Sequence, residues 1–466
     1  MSDQHRGQAM THAGDPNLRT PHMDRLATGG ASFRRAYANC PVCTPSRGTI
    51  FSGRHAHAGP VAGFFDVFKP SAPSTATVLR AHGYRTAYIG KWHCGIIFDQ
   101  APPEVKQNLG QYPGSPYRTP ENFRGGFEEW AAFEAINAPF QTYVYRNEET
   151  APQRLTGYQT DVLTDLAIQR VQAHDARQPL FLVLSVEPPH FPCLAPEAFR
   201  RFDPARLQVR PNFGRLHPAW PGTPVVDDST LRQILANYYA MVENLDHNIG
   251  RLIAAVEQSL GVENCLLVYF SDHGDYVGSH GMWLDKVYEH EESVRVPAIF
   301  HWPGAIPARG GVDGLFSLVD LLPTTLGLAG LPVPPWCQGT DWSARLRGAD
   351  VAGPTEVLLE MQGVPRWEPR FQDWRGLVTD RWKYAFYEDR RETLYDLEAD
   401  PYELNDLAPS APDLCAEMRE RLLRLLRATR EPYFDVIIEH GVAAATPRYL
   451  VDMPTKLNNI RWAGGL

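Results

Sequence analysis

The chain is poor in the features that mark several large protein classes. It has seven cysteines in 466 residues, an odd number spread thinly, so the sequence carries no disulfide framework. Long apolar runs are missing as well. The longest, such as Leu180-Phe181-Leu182-Val183-Leu184, are far too short to span a bilayer. An excess of positive charge is also missing. The formal charge of −9 argues against general binding to nucleic acid or anionic membranes, so any basic cluster must be local. Internal repeats, low-complexity tracts and a signal-peptide pattern are not visible, and the compartment is left open. What remains, 21% charged and 43% hydrophobic residues, is ordinary for a globular protein. The length suffices for one large core and a smaller second domain.

Against this plain background, helical and strand patterns alternate regularly. Thr20-Pro21 opens a helix that Gly29-Gly30 ends, and Ala31 to Ala38 reads as extended. Ser74 to His82 is helical. Tyr84 to Ile89 follows as a strand and delivers Lys91 and His93 at its carboxyl end. Residues 99–154, rich in proline, glycine and aromatics, show little periodicity and read as pocket-building loops. Thr160 to Ala173 is an amphipathic helix, Pro179 to Val186 a buried strand, and Glu187-Pro188-Pro189-His190 lies just beyond it. A long helix from Ser229 to Gln258 precedes the strand Cys265 to Phe270, which ends in Ser271-Asp272-His273-Gly274. Val296 to His301 reads as a strand and Leu318 to Ala329 as a helix. This alternation predicts an α/β fold, a mostly parallel sheet with helices on both faces. Ligands then bind beyond the carboxyl ends of the strands, where Lys91, His93, His190, Asp272 and His273 all fall.

Past Trp342 to Pro354 the alternation stops. Trp374 to Tyr387 and Glu392 to Leu397 read as short antiparallel strands, and Pro412 to Thr429 as a helix. The expected division is a catalytic domain over 1–345, a small C-terminal subdomain over 346–441 with a short antiparallel sheet and a helix, and an irregular tail over 442–466.

The densest motif is Asn39-Cys40-Pro41-Val42-Cys43-Thr44-Pro45-Ser46-Arg47-Gly48, running on to Gly53-Arg54. Thr44 as a cap and Pro45 at the first helical position set Cys43 at a helix N-terminus, where an anion is favoured. Cys40 and Cys43 also fit a redox pair. A second Cys-x-x-Cys is missing, which argues against a zinc ribbon. Gly83 to Lys91 fails as a phosphate loop: six residues separate its glycines, not four, and Trp92 follows the lysine. Asp3-Gln4 and Asp272-His273 together supply oxygen and nitrogen donors that suit a hard divalent cation.

Cys43-Thr44-Pro45-Ser46-Arg47 followed by Gly53-Arg54 resembles the signature of type I sulfatases, in the alkaline phosphatase-like superfamily. Gly90-Lys91-Trp92-His93, His190 after Pro188-Pro189, and Lys286 after Gly281-Met282-Trp283 resemble further blocks of that family. Leu394-Tyr395-Asp396-Leu397 with Asp400-Pro401-Tyr402-Glu403-Leu404 resembles its closing block.

The resemblance implies an alkaline phosphatase-like fold and hydrolysis of a sulfate ester. It implies that a formylglycine-generating enzyme oxidises Cys43 to formylglycine, whose hydrate is the nucleophile. Asp3, Gln4, Asp272 and His273 would hold a divalent metal, with the modified Cys43 completing the shell. Arg47 would hold the hydrate, and Lys91, Lys286 and His190 the sulfate oxygens. His190 would protonate the departing alcohol and His93 take up the proton released when the aldehyde re-forms. Ca²⁺ is the implied ion. Many members have an acidic residue in place of Gln4 and asparagine in place of His273, so Mn²⁺ is a rival here. The substrate would be a small or oligomeric sulfated compound, whether sugar, aryl or alkyl.

Two other readings use the same residues: a phosphonate monoester or phosphodiester hydrolase, and a non-catalytic anion-binding homologue. His5, Arg6, His280 and His290 lie near motifs without an assigned role. Met1 to Arg6 resembles the end of a block that a buried strand precedes. A form extended upstream by one strand is therefore expected to be more stable and to bind metal more tightly, because unpaired chain ends fray.

Overall fold

The computed structural model describes residues 1–64, 66–95, 114, 118–214, 226–282, 286–362, 372–431, 434 and 437–439. The expected tail over 442–466 lies outside the described residues. One five-stranded sheet is built from β2 (Arg85–Lys91), β3 (Glu129–Phe133), β4 (Tyr143–Arg146), β5 (Gln153–Arg154) and β6 (Leu180–Ser185), in the order β5-β4-β3-β2-β6. A second runs β10-β1-β9-β7, with β8 on β1. Here β1 is Ala31–Tyr37, β7 Leu267–Phe270, β8 Arg295–Val296, β9 Ala298–His301 and β10 Gly310–Ser317.

The pairs β2–β3, β2–β6 and β1–β10 are parallel, as the alternation predicts. The pairs β3–β4, β7–β9 and β1–β9 are antiparallel, so the sheets are mixed. The β3-to-β4 connection is shorter than the dozen or so residues that a parallel crossover needs.

The first residues of the chain join the two sheets. The Met1 amine donates to Leu184 O at 2.7 Å, and Val186 N donates to Met1 O at 3.1 Å. On the other side Ser2 N donates to Phe270 O at 3.1 Å, and Asp272 N to Ser2 O at 3.3 Å. Asp3 is therefore fixed between the ends of β6 and β7 and fully buried.

Strand alternation sends successive side chains into two different cores. Tyr88, Trp130 and Phe300 pack with Ile50, Phe51 and Leu321 on one side. Ile89, Ala131 and Ile299 pack with Leu163, Leu245 and Ile253 on the other. Helices thus cover both faces: α2 (Cys43–Ser52) and α6 (Leu321–Leu328) on the first, α1 (Pro21–Thr28), α4 (Gln159–Gln172) and α5 (Asp228–Ser259) on the second. The short α3 (Thr75–Ala81) starts at a Ser74–Thr77 capping box.

Several local expectations change. Pro297 divides the expected strand Val296 to His301 into β8 and β9, since proline has no N–H for the ladder. The helix expected from Leu318 begins as a 3₁₀ turn over Leu318–Asp320 and turns α-helical only at Leu321. Where described, residues 99–154 contain β3, β4 and β5, not only loops. β3 is buried along almost its whole length, so it has no alternating polar face to betray it. β10 holds Gly310, Gly311 and Gly314 and reads as a turn until its pairing with β1 is seen.

The four-stranded antiparallel sheet comprises β11 (Glu356–Met361), β12 (Trp374–Thr379), β13 (Trp382–Tyr387) and β14 (Glu392–Asp396). Helix α7, Pro412–Thr429, lays Met418, Leu422 and Leu426 on one face, against Leu358, Leu377, Tyr384 and Phe386. The other face, with Val357, Leu359 and Val378, packs on Tyr37, Val42 and Tyr276.

A charged contact crosses this seam. Lys383 is fully buried, and its ammonium lies 2.8 Å from Glu291 Oε1 and 2.8 Å from Glu403 Oε1. Lys383→Met should cost about 3–5 kcal/mol in chemical denaturation, because it leaves buried carboxylates without their cation. Adding Glu291→Gln and Glu403→Gln to that variant should recover most of the loss.

Candidate active site

The Cys43 motif folds as a helix start, two residues earlier than the capping pattern predicts. Cys43 is the first residue of α2, Val42 is its N-cap, and no side chain caps it. Thr44 and Pro45 fall within the first turn, whose N–H groups have no intrahelical acceptor, so the proline is tolerated there. Every residue of α2 is buried.

Around Cys43 the strand ends converge. Its Sγ lies 3.1 Å from His273 Nε2 and 3.7 Å from Asp3 Oδ1. Asp3, Cys43, Asp272 and His273 present ligand atoms that all lie within 4.8 Å of one another, and all four residues are buried. His273 Nδ1 is 2.9 Å from the Gly274 carbonyl, which can only accept. Nδ1 therefore carries a proton, and Nε2 is the ring atom that faces Cys43 and Asp3 and that would bind a metal.

Two carboxylates this close in a buried site require compensation, and Arg47 and Lys91 supply it. One helical turn from Cys43, Arg47 Nε lies 2.9 Å from Asp272 Oδ2 and Nη2 3.3 Å from Asp3 Oδ2. Its Nη1 donates to Lys91 O at 2.7 Å and to Ser185 Oγ at 3.0 Å. Lys91 ends β2 with its ammonium 2.6 Å from Asp3 Oδ2 and 3.5 Å from Glu187 Oε1. Burial works against the charged form of each group, but the opposite charges prevail. Asp3 is held well below the usual carboxylate range, by Lys91 above all, and Lys91 and Arg47 are raised. Burial and Asp3 push the Cys43 thiol up. Lys286, His273 and Lys91 outweigh them and bring it below its ordinary value.

The remaining predicted residues form a second tier. Lys286 Nζ donates to Gln4 Oε1 at 2.6 Å and lies 3.0 Å from His190 Nε2, with the Phe191 ring centroid 5.4 Å away. An ammonium can only donate, so His190 Nε2 accepts. The ring proton is then on Nδ1, 2.7 Å from the Phe191 carbonyl. Burial and Lys286 hold His190 well below its usual pKa, in keeping with a neutral ring.

His93 does not share an extended segment with Lys91. The strand ends at Lys91, Trp92 turns into the core, and His93 takes φ 54°. Its ring stands edge-on to Phe64, and its buried Nδ1 has no hydrogen-bond partner among the described residues. Burial and Lys91 keep it neutral.

Sequence reasoning overlooks Asp275 and Glu187. Asp275 accepts from Gln4 Nε2 and from Val277 N at 3.0 Å, and burial pushes it up to about 7. The available signal is an acidic residue directly after Asp272-His273-Gly274, which reads only as a turn. Glu187 accepts from Ile136 N at 2.8 Å, Asn137 N at 3.1 Å and Gln159 Nε2 at 2.8 Å, tying the loop after β6 to its neighbours.

The four unassigned residues lie in buried packing and hydrogen-bond contacts. His5 packs on Tyr269, and Arg6 bonds Tyr276 O at 3.2 Å. The His280 and His290 rings lie 4.2 Å apart and tilted by 35°, near Glu292, which Arg210 and Asn212 already hold, each at 2.9 Å.

A family model described as sulfatase matches residues 1–331. The chain belongs to the sulfatase family. A second model, the C-terminal region of N-sulphoglucosamine sulphohydrolase, matches residues 278–428 of this sulfatase. An ulvan-active sulfatase of Formosa agariphila is 30% identical over 420 residues, covering 87% of this chain and 76% of that protein. An N-acetylglucosamine-6-O-sulfatase of Bacteroides thetaiotaomicron is 27% identical over 510 residues, covering 93% and 86%. Among solved structures, yidJ of Bacteroides fragilis is 27% identical with a TM-score of 0.81, covering 93% of this chain and 95% of that one. The phosphonate monoester hydrolase of Agrobacterium radiobacter, 21% identical with a TM-score of 0.76 over 92% and 94%, shares the fold. The protein is thus a sulfuric ester hydrolase of alkaline phosphatase-like fold.

Gly90 shows how closely the scaffold controls the site. It has φ 105°, and a Cβ there would lie 1.9 Å from the Ser185 carbonyl oxygen of the neighbouring strand. Gly90→Ala must push β2 from β6 and carry Lys91 and the Ser185 contact of Arg47 with it. The expected result is a destabilisation of at least about 1–3 kcal/mol, read by chemical denaturation, together with a fall in sulfatase activity.

Proposed function

We propose that this sulfatase works through formylglycine made from Cys43, beside a divalent cation held by Asp3, Gln4, Asp272, His273 and the modified Cys43. The observation that supports this reading is the meeting of Asp3, Asp272 and His273 at Cys43, on the first residue of a buried helix. Two carboxylates and an imidazole, balanced by Arg47 and Lys91, suit a hard cation. Ca²⁺ fits the oxygen donors, and the imidazole keeps Mn²⁺ as a rival. When bound, the cation would lower the pKa of a hydroxyl of the aldehyde hydrate, the nucleophile that attacks sulfur.

The chain's own residues do the rest. Arg47 fixes both carboxylates, so Cys43 and its metal ligands keep one arrangement. Lys91, Lys286 and His190 bind the sulfate oxygens and stabilise the charge that develops there. Because His190 Nε2 accepts from Lys286, a proton given by this pair to the departing alcohol starts on Lys286. His93, neutral and with Nδ1 unengaged among the described residues, is the group that takes up the proton released as the aldehyde re-forms. Cys43 is only 1% exposed, so the formylglycine-generating enzyme must meet this segment before the fold closes over it. Two relatives are named for ulvan and N-acetylglucosamine sulfates, which makes sulfated saccharides the first substrates to test.

Co-expression with a formylglycine-generating enzyme should yield a Cys43 peptide that is lighter than the thiol form and reacts with hydrazides. Cys43→Ala should abolish turnover and leave the melting temperature unchanged. Full activity in that variant would refute the mechanism. Chelation should remove activity and added Ca²⁺ or Mn²⁺ restore it. By calorimetry Asp272→Ala should weaken metal binding far more than Gln4→Ala, since it removes a full charge and not a carbonyl dipole.

A further inference from the structure

Asp275 ends a buried run of polar contacts that leads to the sulfate-binding groups. One of its oxygens accepts from Gln4 Nε2, the other from Val277 N at 3.0 Å. Gln4 Oε1 accepts from Lys286 Nζ at 2.6 Å, and that ammonium lies 3.0 Å from His190 Nε2. Asp275 and Gln4 are both fully buried, so water cannot replace either partner.

The two ends of a glutamine amide are chemically unlike. With a carboxyl group at one end and an ammonium at the other, one orientation satisfies both. The amino group faces Asp275 and the carbonyl faces Lys286. Turned over, the amide would oppose N–H groups to the ammonium and a carbonyl to the carboxylate. A carboxylate at position 4 would need no such partner, because its two ends are alike. Gln4 also has φ 69°, so its backbone is held in an unusual conformation while its side chain is clamped at both ends.

We propose that Asp275 is a positioning residue that orients Gln4 and, through it, sets where Lys286 and His190 meet the transferred sulfuryl group. This rests on the sulfatase reading for the roles of Lys286 and His190. Asp275 touches neither the substrate nor the cation; its contact is with Gln4, one of the proposed metal ligands. It acts by deciding which end of the Gln4 amide Lys286 encounters.

The test is an exchange of charge between the two positions. In Asp275→Asn the introduced amide has one acceptor for two N–H groups, from Val277 and Gln4. Gln4 then loses its anchor, and kcat/KM should fall roughly 10- to 100-fold, mostly through KM. Inhibition by inorganic sulfate should weaken in parallel. Gln4→Glu alone sets a carboxylate against Asp275 and should also impair the enzyme. In Gln4→Glu with Asp275→Asn, the amide at 275 can donate to the carboxylate at 4, which still accepts from Lys286. That double variant should return to within roughly threefold of wild type, far above the product of the single losses.

Wild-type KM and sulfate inhibition in Asp275→Asn would overturn the proposal, as would losses that simply multiply in the double variant. If Asp275→Asn does not fold, the double variant decides. Recovery of both the melting transition and activity supports the exchange, and failure of either overturns it. A wild-type protein that turns over no sulfate ester would refute the functional reading itself. Active wild type with multiplicative losses refutes only the role of Asp275.

Discussion

The fold depends on one guanidinium. Arg47 is fully buried and binds Asp272 and Asp3, two groups 269 positions apart in the chain, while also holding Lys91 O and Ser185 Oγ. Without it, the convergence of strand ends would bring two carboxylates together in a medium too poor in water to separate their charges. Lysine could match the charge but not the geometry, since a single ammonium cannot span four acceptors in a plane. Both the helix that carries Cys43 and the strand ends beside Asp3 and Asp272 are thus arranged about one planar cation.

Buried charge of this kind is costly, and one continuous series of it leads away from the site. The site tier of Asp3, Asp272, Arg47 and Lys91 continues into Gln4, Asp275 and Lys286. Beyond it lie Glu291, Glu292, Glu403, Lys383 and Arg210, which join the four-stranded sheet to the rest. Each acidic group in this series has a basic or amide partner within hydrogen-bonding reach. Apolar packing on either side of the sheets supplies the stability that allows such a seam to persist.

Much of this was readable in the residues because the signals are local. Pro412 to Thr429 is helical over its predicted span, since a proline start and an apolar stripe lie within the segment itself. The residues after β6 and β7 gather as expected, because a buried strand followed by a polar turn leaves its polar residues little choice of position. What escaped detection depends on distant partners. β10 becomes a strand by lying beside β1, and β3 loses its alternation by being covered on both faces. His93 falls outside the strand because Trp92 turns into the core and ends it at Lys91. Asp275 looks like a turn residue until Gln4, 271 positions away, is seen bonded to it.

The stitch made by Met1 and Ser2 has a thermodynamic corollary. Along the described backbone, these two residues carry the hydrogen bonds that pass from β6 to β7, and the next residue is Asp3. An ion held between Asp3 and Asp272, as proposed, would be a rivet as well as a reagent, since it would fasten one sheet to the other beside that stitch. Its binding free energy would enter directly into the cohesion of the two halves, growing as RT ln(1 + [L]/Kd) with the free ion. Scarcity of the cation would loosen the molecule along its midline, and the line of parting would run through the reaction centre.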